Sequence, residues 1–143
     1  MRSKNAEFTN KLRSSGLRPT KQRLKICELL FDKENTFHFT INDLVKSISK
    51  ELDEKISLAT VYNTVHAFKN KGYLKEISIN SDKSYFDTNT TNHHHFFDED
   101  TNELIDCNEE VIETPKVKKN ILGKKINSIE VLIKVATDNQ NQK

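Results

Sequence analysis

The sequence predicts an α+β chain in two unequal parts, and three observations carry that reading. Before residue 72, four helical segments can be read, each with recognisable punctuation. After Gly72 the period shortens to two, as in half-buried strands. From Thr88 a polar stretch leads into a second region of short alternating segments.

The first helix is expected over about Ala6–Ser15, ending at Gly16, which takes the left-handed backbone that other residues avoid. Thr20, after Pro19, caps a second helix running to Phe31. Leu24, Cys27 and Phe31 are at helical spacing, and Ile26, Leu29 and Leu30 widen the stripe. Thr40 with Asp43 has the form of a capping box and opens a third helix carrying Ile41, Leu44, Val45, Ile48 and Leu52. Ser57 caps a fourth, Leu58–Lys71, which stops at Gly72. Leu58, Val61, Val65 and Phe68 form its core-facing stripe and leave Thr60, Asn63, Thr64 and Lys71 largely elsewhere. Leu74, Ile77 and Ile79, a polar turn at Asn80–Lys83, and Tyr85-Phe86 then read as a β-hairpin. Three helices, a fourth and a two-stranded wing describe a winged helix-turn-helix over residues 1–87, its last helix placed for a DNA major groove.

Residues 88–143 read as a small α/β domain. Phe96-Phe97 and Leu104-Ile105 flank the acidic turn Asp98–Glu103, predicting a second hairpin. Residues 109–122 read as one short helix despite Pro115. Ile126–Val135 reads as a strand, with Ile129, Val131, Ile133 and Val135 alternating, and Thr137–Lys143 as a frayed polar tail. About 55 residues of this kind bury little core alone, so a homodimer is expected, with this half as the dimerisation domain.

Composition narrows the function. With 34% hydrophobic and 31% charged residues, the chain reads as globular, and its polar N-terminus carries no apolar leader segment, so a cytoplasmic location away from membranes is expected. The net charge of +2 hides an asymmetry: +6 over residues 1–80 and −4 over residues 81–143. Eight basic residues face only Glu7 in residues 1–26. Such an arm suits a polyanion, and a merely solvated basic face explains the charge equally well. The only cysteines, Cys27 and Cys107, are in no CxxC pair, so neither a disulfide framework nor a CxxC zinc knuckle is expected. Cys27 lies on an apolar helix face and reads as a buried thiol, and Cys107 as core packing.

The densest chemistry is His93-His94-His95, followed by Phe96-Phe97 and lying between Asp87 and Asp106, in a chain whose other histidines are His38 and His66. On a strand, His93 and His95 share one face and His94 looks the other way. Three adjacent imidazoles make a candidate metal or haem site, the alternative being an exposed polar strand. On the fourth helix, Tyr62 is placed to pack on thymine methyl groups and Asn63 to offer an amide to a base edge or phosphate, unless Tyr62 borders the core and packs there. His66 has no assigned role.

Gly16-Leu17-Arg18-Pro19-Thr20-Lys21-Gln22-Arg23, then Ser57-Leu58-Ala59-Thr60-Val61-Tyr62-Asn63-Thr64, then His93-His94-His95, in that order, resemble the ferric uptake regulator family of metal-dependent bacterial transcription factors over about residues 8–135. Tyr85-Phe86-Asp87-Thr88-Asn89 followed by Asn92–Glu99 and Glu103–Asp106 is most similar to its haem-responsive iron response regulator branch. The resemblance implies a winged-helix domain joined to a dimerisation domain with metal at the hinge, held by His38, Asp87, His93, His95 and Asp106. Three imidazoles and two carboxylates suit Fe(II), Mn(II) or Zn(II). It also implies operator DNA, A–T-rich, as partner. Arg18 stands where the family has a minor-groove basic residue, and Lys21, Arg23, Ser57, Thr60 and Thr64 join Tyr62 and Asn63 as DNA contacts.

Two departures matter. Asp98 and Thr101 stand where many relatives carry a zinc-holding CxxC pair, and Cys27 is followed by Glu28 rather than by the proline of a Cys-Pro haem motif. Haem sensing therefore falls to His93, His94 and His95, with His94 the expected axial ligand. The function expected is a dimeric transcriptional regulator of iron and haem metabolism and not an enzyme, losing DNA binding as haem accumulates. Its rivals are a relative answering Mn(II), Fe(II) or peroxide, an iron or haem carrier, and a small His/Asp metal-dependent hydrolase, which the absence of an HExxH motif disfavours.

Overall fold

The computed structural model describes residues 4–108 and 110–139. The chain divides into two compact units, Met1–Thr90 and Thr91–Lys143. The division falls three residues beyond the expected boundary because Thr88 stays tied to the first unit, its hydroxyl accepting the Phe37 amide at 3.0 Å while its own amide donates to the Phe37 carbonyl at 3.2 Å.

The first unit runs α1 (Lys4–Ser14), α2 (Lys21–Phe31), β1 (His38–Phe39), α3 (Ile41–Leu52), α4 (Leu58–Lys71), β2 (Lys75–Asn80) and β3 (Lys83–Asp87). Thr20 accepts the Arg23 amide, and Thr40 and Asp43 close a reciprocal capping box at 3.1 Å in each direction. Gly72, at φ 94°, ends α4 with its own amide bonded to Lys69 and the Tyr73 amide to Phe68, so both orphan carbonyls are satisfied. The helices close over Leu12, Ile26, Cys27, Leu30, Ile48, Val61, Val65 and Phe68. Burial pushes the Cys27 thiol up to about 12, as befits an inert core residue. The strands form an antiparallel sheet ordered β1-β3-β2, in which His38 faces Asp87 and Phe39 faces Phe86 across one ladder.

Leu58 departs from expectation. It is the first residue of α4 and is 56% exposed, while Ile56, just before the cap, is buried in its stead.

In the second unit, β4 (His94–Asp98) pairs antiparallel with β5 (Glu103–Cys107) and parallel with β6 (Leu132–Val135). The turn between β4 and β5 closes on Asp98, whose Oδ1 accepts the Asp100 amide at 2.9 Å and the Thr101 amide at 3.3 Å. The helix expected over 109–122 is not there among the described residues: 110–122 form turns, bends and irregular chain. Pro115 has no amide to donate and pushes the preceding residue out of helical geometry. The Asn108 side chain meanwhile takes the Glu110 amide and its carbonyl the Val111 amide, bending the chain into a turn. The strand expected over 126–135 shortens to β6, since the Val131 amide is taken by the His94 ring and not by a neighbouring strand. Residues 109 and 140–143 of the expected helix and tail lie outside the described residues. No helix of the described residues is long and apolar enough to cross a membrane.

Thr137 is anchored, contrary to the expected frayed tail. Its amide and hydroxyl donate to Asp100 Oδ2 at 2.6 and 2.5 Å, tying the end of β6 to the β4–β5 turn. These bonds hold the Asp100 carboxyl below its ordinary value. A carboxylate so depressed contributes stability above its unfolded value and loses it as the pH falls through the folded one. Urea titrations are therefore expected to show a smaller acid-dependent loss below about pH 4 for Asp100→Asn than for the native chain. Equal slopes would show that the clasp contributes nothing.

Candidate metal centre and DNA-facing helix

Each unit carries a histidine–carboxylate group of its own. In the first unit, the β1–β3 register sets His38 beside Asp87, with His38 Nε2 3.1 Å from Asp87 Oδ2. Asp87 Oδ1 accepts the Asn89 amide at 2.8 Å. Asp87 is only 1% exposed, and a carboxylate stripped of water is tolerated when a cation or several donors face it.

In the second unit, the strand alternation expected for the triplet is realised. His93 and His95 turn to one side, their rings 4.4 Å apart, and each places Nε2 3.2 Å from the same oxygen, Asp106 Oδ1. His93 Nδ1 lies 2.7 Å from the Thr91 carbonyl, and since a carbonyl only accepts, Nδ1 carries the proton. In the neutral ring Nε2 then holds a lone pair, aimed at a carboxylate oxygen that also only accepts. That contact is favourable when a second proton or a cation lies between them, and a backbone carbonyl orienting the far nitrogen is the common second shell of a metal-bound imidazole.

His94 faces the other way and is buried. Its Nδ1 accepts the Val131 amide at 2.9 Å, which places the proton on Nε2, 3.1 Å from the Thr114 hydroxyl. Both nitrogens are engaged, so the expected axial haem ligand offers iron no lone pair in this arrangement. It instead pins the 114 and 131 regions to β4. Cys107, the cross-strand neighbour of His94, is buried with it, away from Asp106.

On α4, Tyr62 is 51% exposed, so it does not pack in the core, and Asn63 beside it is exposed too. Leu58, one turn earlier, joins Tyr62 as the first unit's large exposed apolar residues among those described. The stripe reading missed Leu58, and its place at the helix start was the available signal. Thr64, expected among the DNA contacts, is instead fully buried, and its hydroxyl donates to the Thr60 carbonyl at 2.7 Å, which removes its side chain from DNA contact. Ser57 and Thr60 spend their hydroxyls on the cap, 2.7 Å from each other. Arg18 and Lys21 are exposed, Lys21 3.8 Å from Glu54. Arg23 is half-buried and donates from Nη1 to the Arg18 carbonyl at 2.9 Å, so it shapes the Arg18 loop more than it faces solvent.

A model of the ferric uptake regulator family matches residues 14–134. The peroxide-responsive repressor PerR of Staphylococcus aureus strain Mu50 is 35% identical over 95 residues, covering 66% of this chain and 62% of that protein. The chain thus spans less than two thirds of the length of the curated relatives it matches. Among solved structures, the Vibrio cholerae ferric uptake regulator superposes with a TM-score of 0.68 at 25% identity, covering 90% of this chain and 98% of that one. The Pseudomonas aeruginosa ferric uptake regulator with manganese gives 0.64 at 23%, covering 92% and 98%, a likeness of fold.

Proposed function

The chain belongs to the ferric uptake regulator family, and on that premise we propose that it is a metal-responsive DNA-binding repressor in which His38, Asp87, His93, His95 and Asp106 hold one divalent ion. The observation that carries this is the pair of imidazole Nε2 atoms sharing one Asp106 oxygen, with His93 oriented by Thr91. Two donors in one unit and three in the other are each an incomplete sphere, and only five residues, Thr88 to Asn92, separate Asp87 from His93. The all-nitrogen-and-oxygen set fits Mn(II), Fe(II) or Zn(II). An ion shared by both units removes their relative freedom before DNA is met, so less entropy is lost on docking and DNA affinity rises.

The DNA-facing surface of this reading is the exposed side of α4. Tyr62 and Leu58 supply apolar contact for thymine methyls, Asn63 an amide, and Arg18 and Lys21 the phosphate or minor-groove charge, with A–T-rich operators as the target. A homodimer accounts for the second unit's surface, where Ile105, Val111, Val117, Ile121, Leu122, Ile126 and Val135 are exposed. A metal effector is preferred to haem because the ring nitrogens of His94 are both in use. A repressor is preferred to a hydrolase because the relatives matched are regulators.

The test is selection of duplexes from a random pool in Mn(II), followed by affinity against salt. A selected A–T-rich operator is expected, bound more tightly with Mn(II) than after chelation and indifferent to haem. Arg18→Ala and Lys21→Ala should each flatten the log–log salt slope by about 1. Absence of any selected sequence would overturn the reading, and a haem-driven loss of binding would move the effector to the iron response branch.

A further inference from the structure

The ring of His66 occupies a defined place in the first unit. It lies against Tyr62, ring centres 4.1 Å apart at 33°, and meets Phe86 edge-on at 5.5 Å and 81°. Phe86 in turn stacks on Phe39 at 5.8 Å and 28°. Both phenylalanines are nearly without exposure. They are also the immediate neighbours of the first unit's two candidate ligands: Phe39 follows His38 in β1 and Phe86 precedes Asp87 in β3. The two strands pair His38 with Asp87 and Phe39 with Phe86 as successive rungs.

Adjacent residues on a strand face opposite ways, so the ligand rung and the phenyl rung are two sides of one short ladder. A cation held between His38 and Asp87 replaces their direct 3.1 Å contact, and resetting that rung changes the spacing and twist of the ladder. The close-packed Phe39–Phe86 pair cannot absorb such a change without moving a neighbour. Among the described residues, the ring that touches both Phe86 and the exposed tyrosine of α4 is His66. Its contact with Tyr62 links residues four apart on one helix face, which also limits the rotamers open to the tyrosine.

We propose that His66 is a positioning residue that holds Tyr62 in its DNA-reading orientation and relays the state of the His38–Asp87 rung to it through Phe86. This rests on the metal-dependent DNA-binding reading above. It deepens that reading by naming a route within one unit, separate from any fixing of the two units by the shared ion.

The test uses the full chain, Mn(II) and the operator selected by the native protein, with affinity measured with and without the metal for the native chain, His66→Ala and His66→Phe. In His66→Ala the Mn(II)-dependent gain in operator affinity is expected to fall by about 5-fold or more. Mn(II) affinity of the DNA-free variant should stay at the native value, which also reports that it folds. His66→Phe, which restores a ring of similar reach, should recover the gain. A purely structural role would lower affinity equally with and without metal. In the unaltered chain, Zn(II) should shift the His66 ring resonances in NMR spectra. Full metal-dependent gain in His66→Ala, or His66 resonances that ignore Zn(II), would overturn the relay while leaving the DNA reading intact. A native chain with no metal-dependent gain would overturn both.

Discussion

Asp106→Ala is expected to reduce Mn(II) affinity by more than about 100-fold, beyond what loss of an outer-shell partner costs, while leaving the fold in place. The carboxylate is the point on which the second unit's donors converge, Oδ1 lying 3.2 Å from both His93 Nε2 and His95 Nε2. Its removal takes away negative charge that compensates a divalent cation, and with it the oxygen that both imidazoles share. Asp106→Asn keeps the shape without the charge and should fall between the two. Because the Asp106 side chain is half-exposed, chemical denaturation of Asp106→Ala should differ from the native chain by no more than about 0.5 kcal/mol. Calorimetric titration of Mn(II) into the three proteins decides the matter, and unchanged binding in Asp106→Ala would remove the carboxylate from the site. Asp87→Ala should weaken the same ion, with a larger stability change, since that side chain is buried.

Tyr62→Ala should cost about 10- to 100-fold in operator affinity, the range of one lost base-reading contact, and leave binding to random duplex nearly untouched. The ring is half-exposed, so its removal opens no cavity. If thymine methyls are what it reads, replacing thymine by uracil at the contacted positions should weaken the native protein and have no further effect on Tyr62→Ala. Leu58→Ala should show the same pattern more weakly. Fluorescence anisotropy on the thymine and uracil operators separates these outcomes. Equal losses on operator and random duplex would mean that the tyrosine supports the helix and reads nothing.

Much of the first unit was legible in the sequence because its signals are local. Thr20, Thr40 and Ser57 cap helices, and Gly16 and Gly72 end them, through bonds made within a few residues. The alternation that splits His93 and His95 from His94 is likewise a property of any strand. What escaped depends on distant partners. The His94 nitrogens are claimed by Val131 and Thr114, 37 and 20 residues on, and no spacing rule announces that. The same bond cuts β6 short. Thr64 looked free by helical phase, but burial and the Thr60 carbonyl claim it. The segment after Asn108 carries helix-compatible residues around Pro115, and the backbone penalty of that proline outweighed their propensity.

Metal and DNA occupancy are reciprocal if one drives the other: the factor by which Mn(II) raises operator affinity must equal the factor by which operator raises Mn(II) affinity. Measuring both in one preparation, by anisotropy with and without metal and by Mn(II) titration with and without operator, tests the account most directly. Two equal factors clearly above one are predicted. Mn(II) and operator that both bind, with factors of one, would show a metal site and a DNA helix that share a chain and nothing more.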